Sequence, residues 1–258
     1  MGPMPRALLP DVLTFLGFYS RLPLSVGAHA PLDFARIAPA LPIAGAVIGA
    51  IGAAALVVAR MCHLPILVCA LISVAGLVLA TGALHEDGLA DVADGFGGGA
   101  TRESKLAIMR DSRIGAYGVL ALSFSILLRV AALASILERS ISLAAVTLIF
   151  AGALSRVAGL APMLWLPRAR VDGLGATVAA PSREIWVRAC LVAVAFGFAP
   201  WLAGAGAGQI AVAIVAAFAA AAVVANLAKK QIGGYTGDVL GAAQQLVEIA
   251  ILAALSAA

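Results

Sequence analysis

Three aspartates stand close together in one stretch of the chain, at positions 87, 91 and 94. The i, i+4, i+7 spacing places Asp87, Asp91 and Asp94 within an arc of about 60° on one helix face. Carboxylates gathered on one face repel each other at low dielectric unless a cation lies among them. Hard oxygen ligands suit Mg²⁺, or alternatively Mn²⁺, with water and substrate phosphates completing the coordination. We therefore predict a metal site here; the alternative is a solvated acidic helix end.

The neighbours of this acidic stretch could contact a substrate. His85 precedes it, and a substrate contact or an ordinary interfacial histidine explains His85 equally well. Gly95 begins a glycine-rich turn that extends to Gly99. Such a turn lets backbone amides approach a phosphate closely, although a glycine run alone is weak support.

A basic segment follows, in which Arg102, Lys105, Arg110 and Arg113 are interleaved with Asp111. A pyrophosphate ester beside a metal needs cations to balance its charge and guanidinium groups to clamp its oxygens. The usual excess of Lys and Arg in cytoplasmic segments explains the sign of these residues but not their interleaving with an acid. We predict that this segment contacts phosphate groups.

A third polar segment, residues 229–238, ends at the glycine-bounded Asp238. Asp238 is a candidate metal ligand or general base. It could also cap the N-terminus of the helix that follows, where the helix dipole favours a carboxylate. Both roles can hold at once.

The composition places these segments in a membrane protein. Hydrophobic residues make up 63% of the 258-residue chain and charged residues 12%, whereas soluble domains average about 45–50% and about 25%. Apolar runs long enough to cross a bilayer recur along the chain. We predict one integral membrane domain, residues 1–258, that is all-α: a polytopic helical bundle of about seven transmembrane helices. The predicted spans are 38–59, 64–84, 115–137, 142–166, 187–203, 208–228 and 239–257.

The basic residues predict the orientation of these spans. With the N-terminus inside, thirteen of the 17 Lys and Arg residues lie on the cytoplasmic side, and only Arg60 and Arg139 lie opposite. This asymmetry follows the positive-inside rule. The polar segments 85–114, 167–186 and 229–238 then share one side. We predict a cytoplasm-facing active site in which 85–114 is the catalytic loop.

The N-terminal segment 1–37 is predicted to lie at the membrane interface, with a short helix over residues 11–22. Pro10 and Asp11 interrupt the apolar run after Arg6, so we expect no cleaved signal. The net charge of +4 could suggest nucleic acid. In a membrane protein the basic residues set orientation instead, and we expect no nucleic-acid partner.

Three charges fall inside the predicted spans. Arg156 and Glu248 lie at equal depth, and we predict that they form an ion pair, because buried charges are costly unless paired. Arg129 lies deeper and its partner is not evident. The glycines at positions 45, 49 and 52 predict close helix packing in the first span.

Three ordered segments together resemble the signature of the cobalamin synthase family, the adenosylcobinamide-GDP ribazoletransferases. These segments are 84–95 (LHEDGLADVADG), 108–118 (IMRDSRIGAYG) and 233–242 (GGYTGDVLGA). The resemblance covers the whole chain, including an opening segment around Phe15 and Tyr19 and the pair Ser155-Arg156. One departure is Glu86, where the family has an apolar residue.

The resemblance implies the last assembly step of adenosylcobalamin synthesis in a bacterial cytoplasmic (inner) membrane. α-Ribazole, or its 5′-phosphate, would attack adenosylcobinamide-GDP and release GMP, giving adenosylcobalamin or its 5′-phosphate. The lipid bilayer is the other expected partner, and a homo-oligomer is compatible with the sequence.

The resemblance also implies roles for particular residues, with Mg²⁺ as the cofactor. The expected metal ligands are Asp87, Asp91 and Asp94, and the extra carboxylate of Glu86 is added to this set. Arg110 and Arg113 are the expected phosphate clamps, and either Asp111 or Asp238 is the base. The candidate substrate-binding residues are His85, Gly95, Arg102, Lys105, Ser155, Arg156, Tyr235 and Thr236.

Two other functions are weighed against this one. A membrane alcohol phosphotransferase acting on CDP-linked substrates would also use clustered aspartates, but the second and third motifs argue against it. A cation-coupled transporter would explain Arg129, Arg156 and Glu248 as an ion path. Transporters place their key polar groups near the midplane, whereas the acidic stretch here lies at the cytoplasmic edge, which favours an enzyme.

Overall fold

The computed structural model describes residues 8–24, 34, 37–170 and 179–257. Parts of the predicted segment 1–37 and of the predicted loop 167–186 lie outside these ranges. Described secondary structure is helical, apart from an isolated parallel bridge between Arg168 and Tyr235. In chain order the helices are α1 (Leu8–Tyr19), α2 (Ile37–Met61), α3 (Ile66–Thr81), α4 (Leu84–Gly98), α5 (Arg102–Ile108), α6 (Ala116–Arg139), α7 (Ile141–Ala158), α8 (Ala161–Trp165), α9 (Arg183–Ala195), α10 (Phe198–Leu202), α11 (Ala207–Ile232) and α12 (Gly237–Ser256).

Six of the described helical segments are long and apolar enough to cross a membrane. They are α2, α6, α7 with α8, α9 with α10, α11, and α12. α3 and α4 form a seventh apolar pair, bent by 90°. The bend falls at Gly82 and Ala83, whose φ angles of 62° and 58° are left-handed and end a helix. The prediction of an all-α bundle with about seven spans is confirmed.

The predicted catalytic loop 85–114 is for the most part helical, which differs from the expectation of a loop. α4 and α5 occupy most of it. The Asp87–Asp94 stretch is therefore helical, as its spacing predicts. Because α4 turns away from α3 by 90°, it packs against α6 and α12 instead, with Glu86 facing Arg129 and Asp94 at the start of α6.

The packing of α2 against α7 depends on small residues. A Cβ added at Gly45 or at Gly49 would overlap the backbone of α7 at Gly152 and Leu148. Gly52 instead faces the side chain of Leu77 in α3. The predicted close packing of the first span is confirmed, because the missing side chains let the two backbones touch.

A second close crossing positions the acidic helix. A Cβ added at Gly88 would lie 2.9 Å from the backbone oxygen of Asp238, and Gly241 of α12 lies against the backbone of His85. α4 therefore rests directly on the N-terminal part of α12. This contact brings the carboxylates of α4 next to Asp238.

An ion cluster inside the bundle ties α4 to α6 and α12. Arg129 is 1% exposed, and its Nη1 lies 2.9 Å from Oε1 of Glu86 and 3.5 Å from Oε1 of Glu248. Gln245 also donates to Glu86, at 3.2 Å. Each charge loses its hydration on burial, and the opposite charges offset that loss.

The predicted ion pair between Arg156 and Glu248 is wrong, because Glu248 pairs with a different arginine. Among the described residues, Glu248 pairs with Arg129, whereas Arg156 Nη1 donates to the carbonyl of Gly152 at 3.0 Å. Gln244 lies between the predicted partners, donating to Glu248 at 2.8 Å. Equal depth did not identify the pair, because the rotation of each helix about its axis decides which side chains meet.

Candidate active site

A cleft of about 240 Å³ opens where α1, α4, the α7–α8 region and α12 meet. Its polar lining includes two acids, two arginines, a histidine and a glutamine: Asp87, Asp238, Arg156, Arg170, His85 and Gln244. Four of these, His85, Asp87, Arg156 and Asp238, are sequence-predicted site residues. The structure therefore brings together residues from the first and third motifs and Arg156 of α7 around one space.

The acids at the cleft form a concentrated negative field. Asp87 is exposed and Asp91 is half-buried on the same helix, and the charges of Asp87, Asp238 and Asp94 all act on Asp91. Arg170 offsets part of this field, since its Nη2 lies 3.2 Å from Oδ2 of Asp238. Facing carboxylates and guanidinium groups are suited to a charged substrate with phosphate groups.

Asp94 is buried and serves the start of α6. Its two carboxylate oxygens accept backbone N–H groups from Gly115 at 2.7 Å and from Gly118 at 2.9 Å. A carboxylate at a helix N-terminus satisfies donors that have no partner within the helix and complements the helix dipole. This contact links the acidic motif to the motif that follows it.

The donor groups fit a magnesium ion held partly by substrate. Among the described residues, no three His, Cys, Asp or Glu side chains are grouped as a preformed metal site. Mg²⁺ usually binds one or two carboxylates, several waters and substrate phosphates rather than an all-protein cage. Asp87, which lines the cleft, and Asp91, one helical turn further along α4, match that mode. Glu86 faces Arg129 instead.

The basic segment supports the site from outside the cleft. Arg102 donates to the carbonyls of Ile232 at 2.8 Å and Ala169 at 2.6 Å, and Lys105 donates to Gln231. These contacts hold α5 against the end of α11 and against the connection after α8. Arg102 and Lys105 thus hold neighbouring chain segments in place, and the described lining of the cleft does not include them.

The other predicted site residues also lie beside the cleft lining. Tyr235 donates its backbone N–H to the carbonyl of Pro167 at 2.9 Å. Thr236 accepts from the backbone of Val239 and donates to Asp238 at 3.1 Å. Ser155 accepts from Gln244 at 3.0 Å. Together they fix the positions of cleft residues.

Gly95 lies in the contact between α4 and α5, and Arg110 follows that contact in the chain. A Cβ at Gly95 would approach the side chain of Met109 and lie 3.0 Å from the backbone oxygen of Lys105, so the glycine allows close packing. Arg110 is exposed just after α5. The described lining of the cleft does not include either residue.

Arg170 is a site residue that sequence reasoning missed. It was counted only among the cytoplasmic basic residues. Its Nη1 and the Nε of Arg156 are both buried and have no hydrogen-bond partner among the described residues. Buried guanidinium donors without partners are costly, and an anionic ligand would satisfy them. The Arg-Ala-Arg run at 168–170 carried no signal that separated Arg170 from Arg168.

Asp111 and Arg113 form an exposed pair of their own. The Arg113 side chain donates to both Asp111 carboxylate oxygens, with Nη2 at 2.5 Å and Nε at 3.0 Å. Hydrogen bonds from the Arg113 side chain and backbone lower the pKa of Asp111 from 3.8 to about 2. Since the pKa is lowered, Asp111 keeps its charge down to acid pH and is a weak proton acceptor at neutral pH.

We predict that Asp111→Asn does not move the acid limb of the kcat–pH profile. Measured between pH 5 and 9, the fall of kcat on the acid side has the same midpoint as in the wild-type protein. The charge of Asp111 is lost only as the pH falls from about 4 towards 2, below that window. GMP release measured across the window tests this, with Glu184→Gln as a control for losing an exposed pair. Loss of the acid limb, together with a decrease in kcat of about a hundredfold or more, would instead identify Asp111 as the general base.

Comparison with known proteins agrees with the likeness of the motifs. The family model for cobalamin-5-phosphate synthase matches residues 11–256. A relative from Azorhizobium caulinodans named adenosylcobinamide-GDP ribazoletransferase is 50% identical, covering 95% of this chain and 94% of its own. Relatives of the same name from Xanthobacter autotrophicus and Mesorhizobium japonicum are 46% and 43% identical, covering 94% and 98% of this chain and 94% and 95% of their own.

No solved structure matches the chain. The family match nevertheless extends over nearly all of the chain, including the helices that form the cleft. This multi-pass helical protein is a transferase and belongs to the cobalamin-5-phosphate synthase family.

Proposed function

We propose that this transferase joins adenosylcobinamide-GDP to α-ribazole, or to α-ribazole 5′-phosphate, and releases GMP. The product is adenosylcobalamin or its 5′-phosphate. The observation that carries the proposal is the cleft shared by Asp87, Asp238, Arg156 and Arg170, in which the two arginines have buried guanidinium nitrogens without a hydrogen-bond partner among the described residues. The printed name of the relatives, adenosylcobinamide-GDP ribazoletransferase, supports the same substrates.

The two cleft arginines are proposed to bind the pyrophosphate of the GDP-linked substrate. Arg156 is 4% exposed, and Arg170 already lies 3.2 Å from Asp238. Guanidinium groups held in place before the reaction stabilise charge that develops on phosphate oxygens. Arg110 and Arg113 lie outside the described lining of the cleft, and Arg113 is held by Asp111, which favours Arg156 and Arg170 for this role.

Magnesium is proposed as the cofactor, with Asp87 and Asp91 as its protein ligands and Mn²⁺ as a possible substitute. When bound, the ion would neutralise charge on the pyrophosphate and orient the leaving phosphate. The carboxylates of Asp87 and Asp91 then serve a second purpose. Through the bound ion they would hold the substrate pyrophosphate beside the first two turns of α4, near Asp238.

The transfer itself is proposed as one displacement at phosphorus. A ribose hydroxyl of the acceptor forms a new O–P bond to the phosphorus attached to the corrinoid side chain. The bond from that phosphorus to the GMP oxygen breaks, and GMP leaves as an anion. Asp238 accepts the hydroxyl proton, because it lines the cleft while Asp111 is held by Arg113.

We further propose a bacterial inner membrane as the location, with the cleft facing the cytoplasm. The positive-inside asymmetry of the chain supports this orientation. A water-soluble nucleoside and a GDP-linked corrinoid would both reach the cleft from that side.

The test is an assay of the purified full-length protein in liposomes with adenosylcobinamide-GDP, α-ribazole and Mg²⁺. The expected result is equal amounts of GMP and cobalamin, formed only when both substrates are present. Addition of EDTA is expected to stop both products, and excess Mg²⁺ to restore them. GMP release without α-ribazole, or no joined product under any of these conditions, would overturn the proposed reaction.

A further inference from the structure

The cleft at α4 and α12 has an aromatic and aliphatic part beside its charged part. α1 contributes Phe18 and Tyr19, and Phe34 follows in the chain. The aliphatic residues that line the same space are Leu84, Leu160, Met163 and Leu240. The charged residues of the cleft, which suit phosphate groups, do not account for this apolar surface.

The aromatic rings form an ordered wall. Tyr19 is stacked on His85, with ring centroids 5.6 Å apart and planes 8° apart. Phe18 meets Tyr19 edge to face, with centroids 4.8 Å apart. Phe34 is stacked on Phe15 at 6.1 Å. Phe18 is half-buried while Tyr19 is buried, so Phe18 presents the accessible ring.

One polar group next to this wall, the amide of Gln244, is already engaged. Gln244 lines the cleft, but its Nε2 donates to Ser155 and Glu248 and its Oε1 accepts from Gln245. A ligand ring placed against Phe18 and Phe34 therefore meets apolar surfaces, and Gln244 is not free to pair with its donors and acceptors. A ring with few exocyclic polar groups suits these surfaces best, because each polar group buried without a partner is costly.

The size of the cleft also selects among the substrate parts. Sites that enclose a drug-sized ligand have about 300–1,000 Å³, and this cleft has about 240 Å³. That space suits one flat bicyclic base. A corrin macrocycle with its amide side chains is far larger.

We propose, building on the proposed function, that the aromatic part of this cleft binds the base of the acceptor nucleoside, a flat bicyclic ring with few polar substituents. The dimethylbenzimidazole of α-ribazole has this chemistry. Phe18 stacks on the base, and Phe34 and Leu160 enclose it. The ribose then lies towards Asp238, and both the corrin ring and the guanine remain outside the cleft.

Equilibrium dialysis tests this, with α-ribazole as the probe and the full-length protein in lipid nanodiscs. Phe18→Ala is expected to raise the Kd of α-ribazole about tenfold, because stacking on an aromatic ring is lost. Phe18→Leu keeps an apolar side chain without a ring and is expected to raise it about threefold. The matched control is Phe124→Ala, which removes a phenylalanine that is 62% exposed on α6; its Kd is expected to stay within twofold.

Steady-state kinetics give a readout that general damage to the fold would not. In both Phe18 variants the KM for α-ribazole rises, while the KM for adenosylcobinamide-GDP stays within twofold. An equal rise in both KM values, or a rise in the KM of the corrinoid alone, would overturn the proposal that the nucleoside base binds beside Phe18. The proposal would also be overturned if GMP competed with α-ribazole for binding when the corrinoid substrate is absent.

The base site and the proposed reaction fail in different ways. Binding of α-ribazole that depends on Phe18, without any release of GMP, supports the base site and rejects the reaction. Formation of GMP and cobalamin with an unchanged KM for α-ribazole in both Phe18 variants supports the reaction and rejects the base site.

Discussion

Asp87→Asn is expected to lower kcat about a hundredfold or more while the helical fold stays intact. Asp87 is exposed on α4, so its replacement breaks no buried contact. It lines the cleft beside Asp238, and the change removes a charged oxygen ligand from the place proposed for Mg²⁺. We also expect the variant to need more Mg²⁺ for half-maximal GMP release.

The measurement is the initial rate of GMP release at a series of Mg²⁺ concentrations. Glu103→Gln is the matched control, because Glu103 is an exposed acid of α5 whose side chain is 79% exposed. It is expected to keep wild-type turnover. If Asp87→Asn turned over within threefold of wild type at low Mg²⁺, Asp87 would have no part in holding the metal.

Arg129→Met is expected to destabilise the protein by about 3–5 kcal/mol, the cost of leaving buried charges without their partner. Arg129 lies 2.9 Å from Glu86 and 3.5 Å from Glu248, and all three side chains are buried. Methionine matches much of the length of arginine but offers no charge. Two carboxylates would then remain together in the bundle.

Thermal unfolding in detergent micelles measures this loss. The matched control is Arg188→Met, since Arg188 pairs with Glu184 at the exposed surface and such pairs contribute only about 0–1 kcal/mol. Adding Glu86→Gln and Glu248→Gln to Arg129→Met is expected to recover part of the stability, because no unpaired charge remains. A single variant as stable as Arg188→Met, or a triple variant no better than the single one, would contradict the cluster's role.

The Arg129 cluster also gives a purpose to Glu86. Glu86 precedes Asp87 in sequence, but its side chain contacts α6 and α12 inside the bundle rather than lining the cleft. Its ion pair therefore resists rotation of α4 about its own axis. The orientation of Asp87 towards the cleft depends on that resistance.

The sequence by itself determined the class of the fold. Apolar runs must leave water, and their lengths match a bilayer, so the spans could be predicted within a few residues of α2, α6 and α12. The 90° bend between α3 and α4 could not be predicted from hydropathy. It depends on the left-handed backbone at Gly82 and Ala83, and alanine gives no sequence signal for that conformation.

The sequence also identified the motifs of the site, because acids and glycines at close spacing stand out in an apolar chain. It could not tell cleft residues from residues that support them. Asp87 and Asp94 carry the same side chain on one helix, yet Asp87 lines the cleft and Asp94 caps α6. Arg102 and Lys105 likewise hold neighbouring chain segments in place.

Only the tertiary structure decided which distant residues meet. Depth along a span follows from residue count at 1.5 Å per residue, but the facing direction depends on how each helix is rotated against its neighbours. Glu248 therefore meets Arg129 rather than Arg156. The same packing carries Arg170 to Asp238 and Phe18 to the cleft. No local pattern encodes these contacts, since they arise where separate helices cross.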